Sequence, residues 1–271
     1  MAKDFILLFE GCEGSSAFMQ LLSDTGRVYL PAYEPLDAYR FTERGFGTDM
    51  SEDDLLLSLE LLYRRGDTKE REEVLVHLRE RYTSEKWEYH LDATAEHSVG
   101  IKFRMRYGRA ELFAAHFADN EIAPVIITRE DKLRQAISHL ATNVQFQLMN
   151  GTHPDDLPPV TIDTDALASC LKDAQAKNAK REAMKETFKA RGIDFIEVTY
   201  EDFVLRKRDL LSRTLSFLGH TFSGDTLDRA LNTPEHYRKG YPVEFSKFIT
   251  NHGEVLSVAK DFDFYREDHA K

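Results

Sequence analysis

Short apolar runs alternating with longer stretches of helical spacing limit what this chain can fold into. The runs are Phe5–Phe9, Arg27–Leu30, Val99–Phe103, Pro124–Thr128 and Asp194–Val198. The helical patterns are Ser15–Thr25, Arg109–Ala118, Lys132–Leu148, Asp165–Arg191 and Arg208–Leu218. Alternation of this kind predicts a mainly parallel sheet covered by helices. Two runs, "VIIT" and "DFIEV", are apolar and β-branched, as strands buried on both faces should be. Gly26, Gly192 and Gly219 stand where glycines commonly close helices. The expectation is a single three-layer α/β domain spanning residues 1–271, with a mainly parallel sheet flanked by helices.

Two stretches interrupt the alternation. Residues 51–90 read as two amphipathic helices, with Ser51 and Thr68 placed as N-caps and Leu55, Leu56, Leu59 and Leu62 on one stripe. We take this as a helical insertion over the sheet edge, its leucines serving the core in the commoner reading. Residues 150–164, "NGTHPDDLPPVTIDT", form a Pro/Asp loop, either a lid or a plain connection.

Charge and cysteine content exclude several function classes. A net charge of −11 argues against a nucleic-acid footprint, so a phosphate site must be a local basic pocket within a repelling field. Two cysteines, Cys12 and Cys170, make neither a disulfide framework nor a zinc cluster and fit a reducing cytoplasm. The first apolar run is too short for a signal peptide, and no stretch approaches a membrane span. The expected setting is cytoplasmic.

Four constellations carry chemistry. "FEGCEGSS" joins the first apolar run to a helix, the layout in which backbone N–H groups at a helix N-terminus meet an anion. Gly14 clears room for backbone to approach a ligand, and Ser15 and Ser16 add hydroxyls where the helix dipole favours negative charge. A plain strand–turn–helix corner with Ser15 as N-cap is the alternative. The loop holds Glu10, Cys12 and Glu13 but no Lys or Arg, and it lacks the G-x-x-x-x-G-K-[ST] pattern of nucleotide triphosphatases. In "VIITREDKLRQAISHLA", Arg129 follows a buried-type strand and Ser138 lies in the next helix. Strand ends of that kind bind ligands in open α/β sheets, and a guanidinium fork suits a phosphate. A surface pair with Glu130 or Asp131 is the competing reading. In "FIEVTYEDFVLRKRDLLSRTLSFLG", a strand is followed by Tyr200-Glu201-Asp202 and then a helix. Tyr200 can lie against a planar base or simply pack. Finally, Arg238, Lys239 and Gly240 in "HYRKGYP" make a small basic turn, either a phosphate contact or a solvated surface.

In this order the four resemble the sulfotransferases that use 3′-phosphoadenosine 5′-phosphosulfate (PAPS). "TREDKLRQAISHLA", "VGIKF" and "AYEP" are most similar to the bacterial branch that sulfates trehalose-type carbohydrates. The likeness covers residues 5–40 and 99–240. It implies that Gly14, Ser15 and Ser16 cradle the 5′-phosphosulfate and that Arg129 and Ser138 hold the 3′-phosphate. It implies further that Tyr200 approaches the adenine, that Arg238, Lys239 and Gly240 close over the 3′-phosphate, and that Glu34 is the general base. The family normally carries Lys or Arg two residues before the loop glycine, where this chain has Cys12. Lys102 is the best substitute.

The implied function is sulfuryl transfer from PAPS to a hydroxyl of a sugar or other small molecule, with adenosine 3′,5′-bisphosphate as the product. No metal, nucleic acid or membrane span is expected. The alternative is a catalytically weak or inactive binder of an adenosine phosphate or other anion. A nucleotide-dependent kinase is less supported, because neither a lysine loop nor a Mg²⁺-binding strand-end Asp is present.

Overall fold

The computed structural model describes residues 2–30, 56, 63, 96–104, 110–141, 158–233 and 245–270. Five strands form one sheet: β1 (Phe5–Phe9), β2 (Val28–Tyr29), β3 (Ser98–Arg104), β4 (Ala123–Thr128) and β5 (Ile196–Thr199). Their order is β2-β3-β1-β4-β5, and every neighbouring pair is parallel. The parallel sheet expected from the alternation is therefore present, each strand within about two residues of its expected bounds. From β1 the chain goes outward to β2, returns through β3 and then crosses to β4. That reversal puts the C-terminal end of β1 at the topological switch point, where open α/β sheets bind ligands.

The described residues fall into two compact units. The first is drawn from Met1–Glu10, Gly14–Thr128 and Met184–Pro234, the second from Gly11–Glu13, Arg129–Ala183 and Glu235–Lys271.

The first unit holds the sheet with helices α1 (Ser15–Asp24) and α2 (Ala110–Asn120). Side chains alternate across β1, so its two faces feed separate apolar layers. Phe5, Leu7 and Phe9 join Phe18, Met19 and Leu22 of α1 in one buried cluster. On the other side of the sheet, Phe103 of β3 meets Phe113 of α2 at 5.0 Å between ring centroids, and the aromatic run continues through Phe117 to Phe188. Gly100 of β3 is needed for the first layer, because a β-carbon there would come within 2.2 Å of the Phe5 ring. Of the insertion expected at 51–90, only Leu56 and Tyr63 lie among the described residues, both helical. The Tyr63 hydroxyl donates to the Phe5 carbonyl at 2.8 Å, which ties Tyr63 to β1.

The sequence reading missed two helices here. Tyr200-Glu201-Asp202 is not a connection but the start of α5 (Tyr200–Leu205), capped by Thr199, whose Oγ1 accepts from the Asp202 backbone N–H. Next come α6 (Lys207–Phe217) and α7 (Gly224–Asn232), the latter also unforeseen although Ser223 caps it. Ahead of β5 in the chain comes the long helix α4 (Thr164–Ala190), whose residues up to Ala183 belong to the second unit and those from Met184 to the first.

The second unit contains α3 (Lys132–Leu140), the first part of α4, α8 (Phe245–Phe248) and α9 (His252–Asp261). The helix expected over Lys132–Leu148 closes at Ala141, and residues 142–148 lie outside the described set. Leu133 and Ile137 of α3, Leu167 and Leu171 of α4, and Val255 and Ala259 of α9 share a core with Phe248 and Ile249. Val160 pairs with Ile249, so the described end of the expected 150–164 loop is extended chain.

At the other end of the strands from the switch point, His220 sets a pH dependence. It is buried, and its Nε2 bonds Ser98 Oγ at 2.8 Å. Burial first, then the charges of Arg27 and His97, lower its pKa from 6.5 to about 4. The folded chain thus takes up this proton less readily than the unfolded one. Its contribution to stability is complete above pH 6.5 and is lost as pH falls toward 4. The melting midpoint is expected to drop across that window, and His220→Gln, which keeps a donor near Ser98, should flatten the drop. An unchanged slope in the variant would remove His220 from the account.

Candidate functional site

In the first unit the site begins at the end of β1. Gly14 stands at the N-cap of α1 with φ of 76°, and no side chain caps the helix. Ser15 is therefore the first helical residue and not the cap. Gly14 is required twice over: its backbone is left-handed, and a β-carbon would lie 2.5 Å from Tyr200 Cδ2. The space cleared by this glycine is taken by the Tyr200 ring, not left open for backbone approach.

Lys102 brings an ammonium to the start of α1 from β3. It lies opposite Leu7 in the β1–β3 register, on the apolar face shared with Phe9. Its stem is buried, its Nζ is 4.9 Å from the Phe9 ring centroid, and it donates to Ser16 Oγ at 2.7 Å. Burying an ammonium is costly without compensation, and the ring face and the hydroxyl provide part of it. The first turn of α1 contains no acidic residue, so the lysine faces the positive end of a helix dipole. A helix start with an ammonium beside it is a place where an anion is favourable.

In the second unit the loop Gly11–Glu13 is held residue by residue. Gln135 Nε2 donates to the Gly11 carbonyl at 2.8 Å, and Arg129 Nη1 donates to the Cys12 carbonyl at 3.2 Å. Glu13 is fully buried, its carboxylate 2.6 Å from Arg181 Nη2 and 3.8 Å from Lys132 Nζ. Cys12 has φ of 63°, a conformation that a residue with a β-carbon adopts only when its surroundings enforce it. Arg129 Nη1 also reaches Ser138 Oγ at 3.4 Å, and both side chains are buried. The loop thus draws Arg129 to a backbone carbonyl and Lys132 and Arg181 to the Glu13 carboxylate.

Asp131 positions α3. Its Oδ1 accepts from the Arg134 backbone N–H at 2.9 Å, and its Oδ2 bonds His269 Nε2 at 2.9 Å. Burial pushes its pKa up, but the hydrogen bonds from His269 and the Arg134 N–H, with the nearby Arg134 charge, outweigh that, leaving it below the ordinary carboxylate value. Asp131 is thus a charged cap, not a surface partner for Arg129.

The structure brings Lys102 to Ser16, Tyr200 to Gly14 and Arg129 to Ser138. Glu34, Arg238, Lys239 and Gly240 lie outside the described residues. Sequence reasoning missed Lys132, Gln135 and Arg181. The first two lie within "REDKLRQAIS", where helical spacing from Asp131 could have suggested them. Arg181 had no local signal, being 168 residues from Glu13. Among the described residues no group of His, Cys, Asp and Glu is arranged to hold a metal ion, and no helix is long and apolar enough to cross a membrane.

No protein-family model matches the chain, and no curated protein is similar to it. Solved structures with a related chain course include a sulfotransferase from Mycobacterium avium, 12% identical with a TM-score of 0.46, covering 97% of this chain and 77% of that one. Another is a sulfotransferase from Alicyclobacillus acidocaldarius, 14% identical with a TM-score of 0.42 over 97% of this chain and 93% of that one. A mouse sulfotransferase complexed with PAP is 12% identical, with a TM-score of 0.47 over 96% and 81%. At such scores the likeness assigns no role to any residue here.

Proposed function

We propose that this protein transfers a sulfuryl group from PAPS to a hydroxyl of a small molecule or carbohydrate, trehalose-type sugars being the acceptor class implied by the motifs. The observation that carries the reading is the buried Lys102 ammonium bonded to Ser16 at the uncapped N-terminus of α1. Bound PAPS would supply the sulfuryl group and an anionic leaving phosphate. Gly14, Ser15 and Ser16 would bind its 5′-phosphosulfate through the amides of the first helical turn, and Lys102 would neutralise charge at the bridging oxygen. Arg129 and Ser138 would hold the 3′-phosphate, with Arg238, Lys239 and Gly240 as further partners. Tyr200, whose ring packs on Gly14, would border the adenine. Glu34 would take the proton from the acceptor hydroxyl as its oxygen bonds to sulfur and the sulfur–phosphate oxygen bond breaks.

A second reading, a non-catalytic binder of adenosine phosphates, is favoured by Cys12 at the family's cation position. It uses the same side chains and differs only in turnover.

Calorimetric titration separates these readings from a protein with no such site. A charge-assisted bond to phosphate contributes about 1.5–3 kcal/mol, so adenosine 3′,5′-bisphosphate should bind at least about tenfold more tightly than AMP. Arg129→Ala should erase most of that preference. Equal affinities in the unaltered protein would sink the reading, and ATP as the preferred ligand would point to the kinase instead.

A further inference from the structure

We propose that His269 is a positioning residue for the 3′-phosphate contact, acting through Asp131 on the Arg129–Ser138 pair. This rests on the reading of Arg129 and Ser138 as the 3′-phosphate's partners. His269 is wholly buried and uses every polar group it has. Its Nδ1 accepts from the Arg266 backbone N–H at 3.1 Å, which leaves Nε2 as the donor to Asp131 Oδ2 at 2.9 Å. Its carbonyl accepts from His252 Nε2 at 2.8 Å, fastening it to the first turn of α9. Alongside, Arg266 lies 3.6 Å from Glu130. The two residues immediately after Arg129 are therefore gripped from residues 266 and 269.

The grip bears on binding because Asp131 does two things at once. One oxygen caps α3 and the other is held by His269. Without the imidazole donor, Oδ2 loses its buried hydrogen bond, and the Arg134 side chain that lies 3.1 Å away is partly exposed. The carboxylate is then free to rotate, and with it the start of the helix carrying Gln135 and Ser138. Arg129 sits two residues before the cap and Ser138 seven after it, so their 3.4 Å approach depends on that start being rigid. A misplacement of about an ångström is enough to weaken a charge-assisted contact severely.

The test is the affinity ratio of adenosine 3′,5′-bisphosphate to AMP. His269→Ala should reduce the ratio about tenfold, the worth of one lost charge-assisted contact, with AMP affinity unchanged. His269→Gln, whose amide N–H can reach Asp131, should restore it. Should His269→Ala be too unstable to purify, Asp131→Asn makes the same test, since it keeps a capping oxygen but turns an amide donor toward the imidazole donor. If the unaltered protein shows no preference for the bisphosphate, the parent reading fails and this one with it. If it does show the preference and folded His269→Ala retains it, only the inference about His269 is overturned. Loss of folding in both variants even at saturating bisphosphate would also overturn it, leaving the contact purely structural.

Discussion

Lys102→Met is expected to lower sulfuryl transfer about 10²–10³-fold, the usual effect of losing one preorganised donor at a developing oxyanion. Methionine nearly matches the lysine stem in volume and lies on the same apolar face as Leu7 and Phe9, so the fold should persist with a cost below about 1.5 kcal/mol. The change removes the positive charge, its hydrogen bond to Ser16 and its contact with the Phe9 ring. Adenosine 3′,5′-bisphosphate should still bind, because Arg129 and Ser138 are untouched, so the loss should appear in kcat more than in KM. Turnover assays with a panel of sugars and alcohols, alongside a melting curve, make the measurement. Undiminished turnover would reduce Lys102 to a brace for α1. Absence of turnover in the unaltered protein, with bisphosphate binding intact, would establish the non-catalytic binder.

Arg181→Met is expected to destabilise the fold by about 3–5 kcal/mol, because it takes the 2.6 Å guanidinium partner from the buried Glu13 carboxylate and leaves Lys132 more distant at 3.8 Å. Removing both charges should be far milder. In Glu13→Gln/Arg181→Met, neither buried charge remains unpaired and the net charge of the loop region is unchanged, so most of the urea midpoint should return. Bisphosphate binding should survive in the double variant if the pair only holds the loop. A double variant as unstable as Arg181→Met would mean that the guanidinium acts through contacts other than Glu13.

These two experiments also divide the puzzle of an anion-type loop without a cation. Glu13 is not aimed at a ligand. It is an internal counter-ion, neutralised by Arg181 and Lys132, and it fixes the loop from inside. Positive charge reaches the neighbouring helix start from a different strand, through Lys102. The same side-chain types in a free peptide of this loop would repel phosphate.

What the sequence by itself determined was whatever depends on near neighbours along the chain. Phe5–Phe9 and Pro124–Thr128 were legible as strands because runs of buried, β-branched residues have few other uses. Arg129 and Ser138 were legible as a pair because a strand end and the following helix are joined by a short turn, which limits where nine residues can go. The cap at Thr199 and the one at Ser223 were equally local and could have been read, yet Tyr200–Leu205 and Gly224–Asn232 were passed over. Only the tertiary structure decided the partners of Glu13, Lys102 and Asp131, which lie 168, 86 and 138 residues away along the chain. No periodicity reports such pairings. They arise when packing of the helices and sheet buries charged groups, and a buried charge takes whichever opposite charge or hydrogen-bonding group the fold brings within reach.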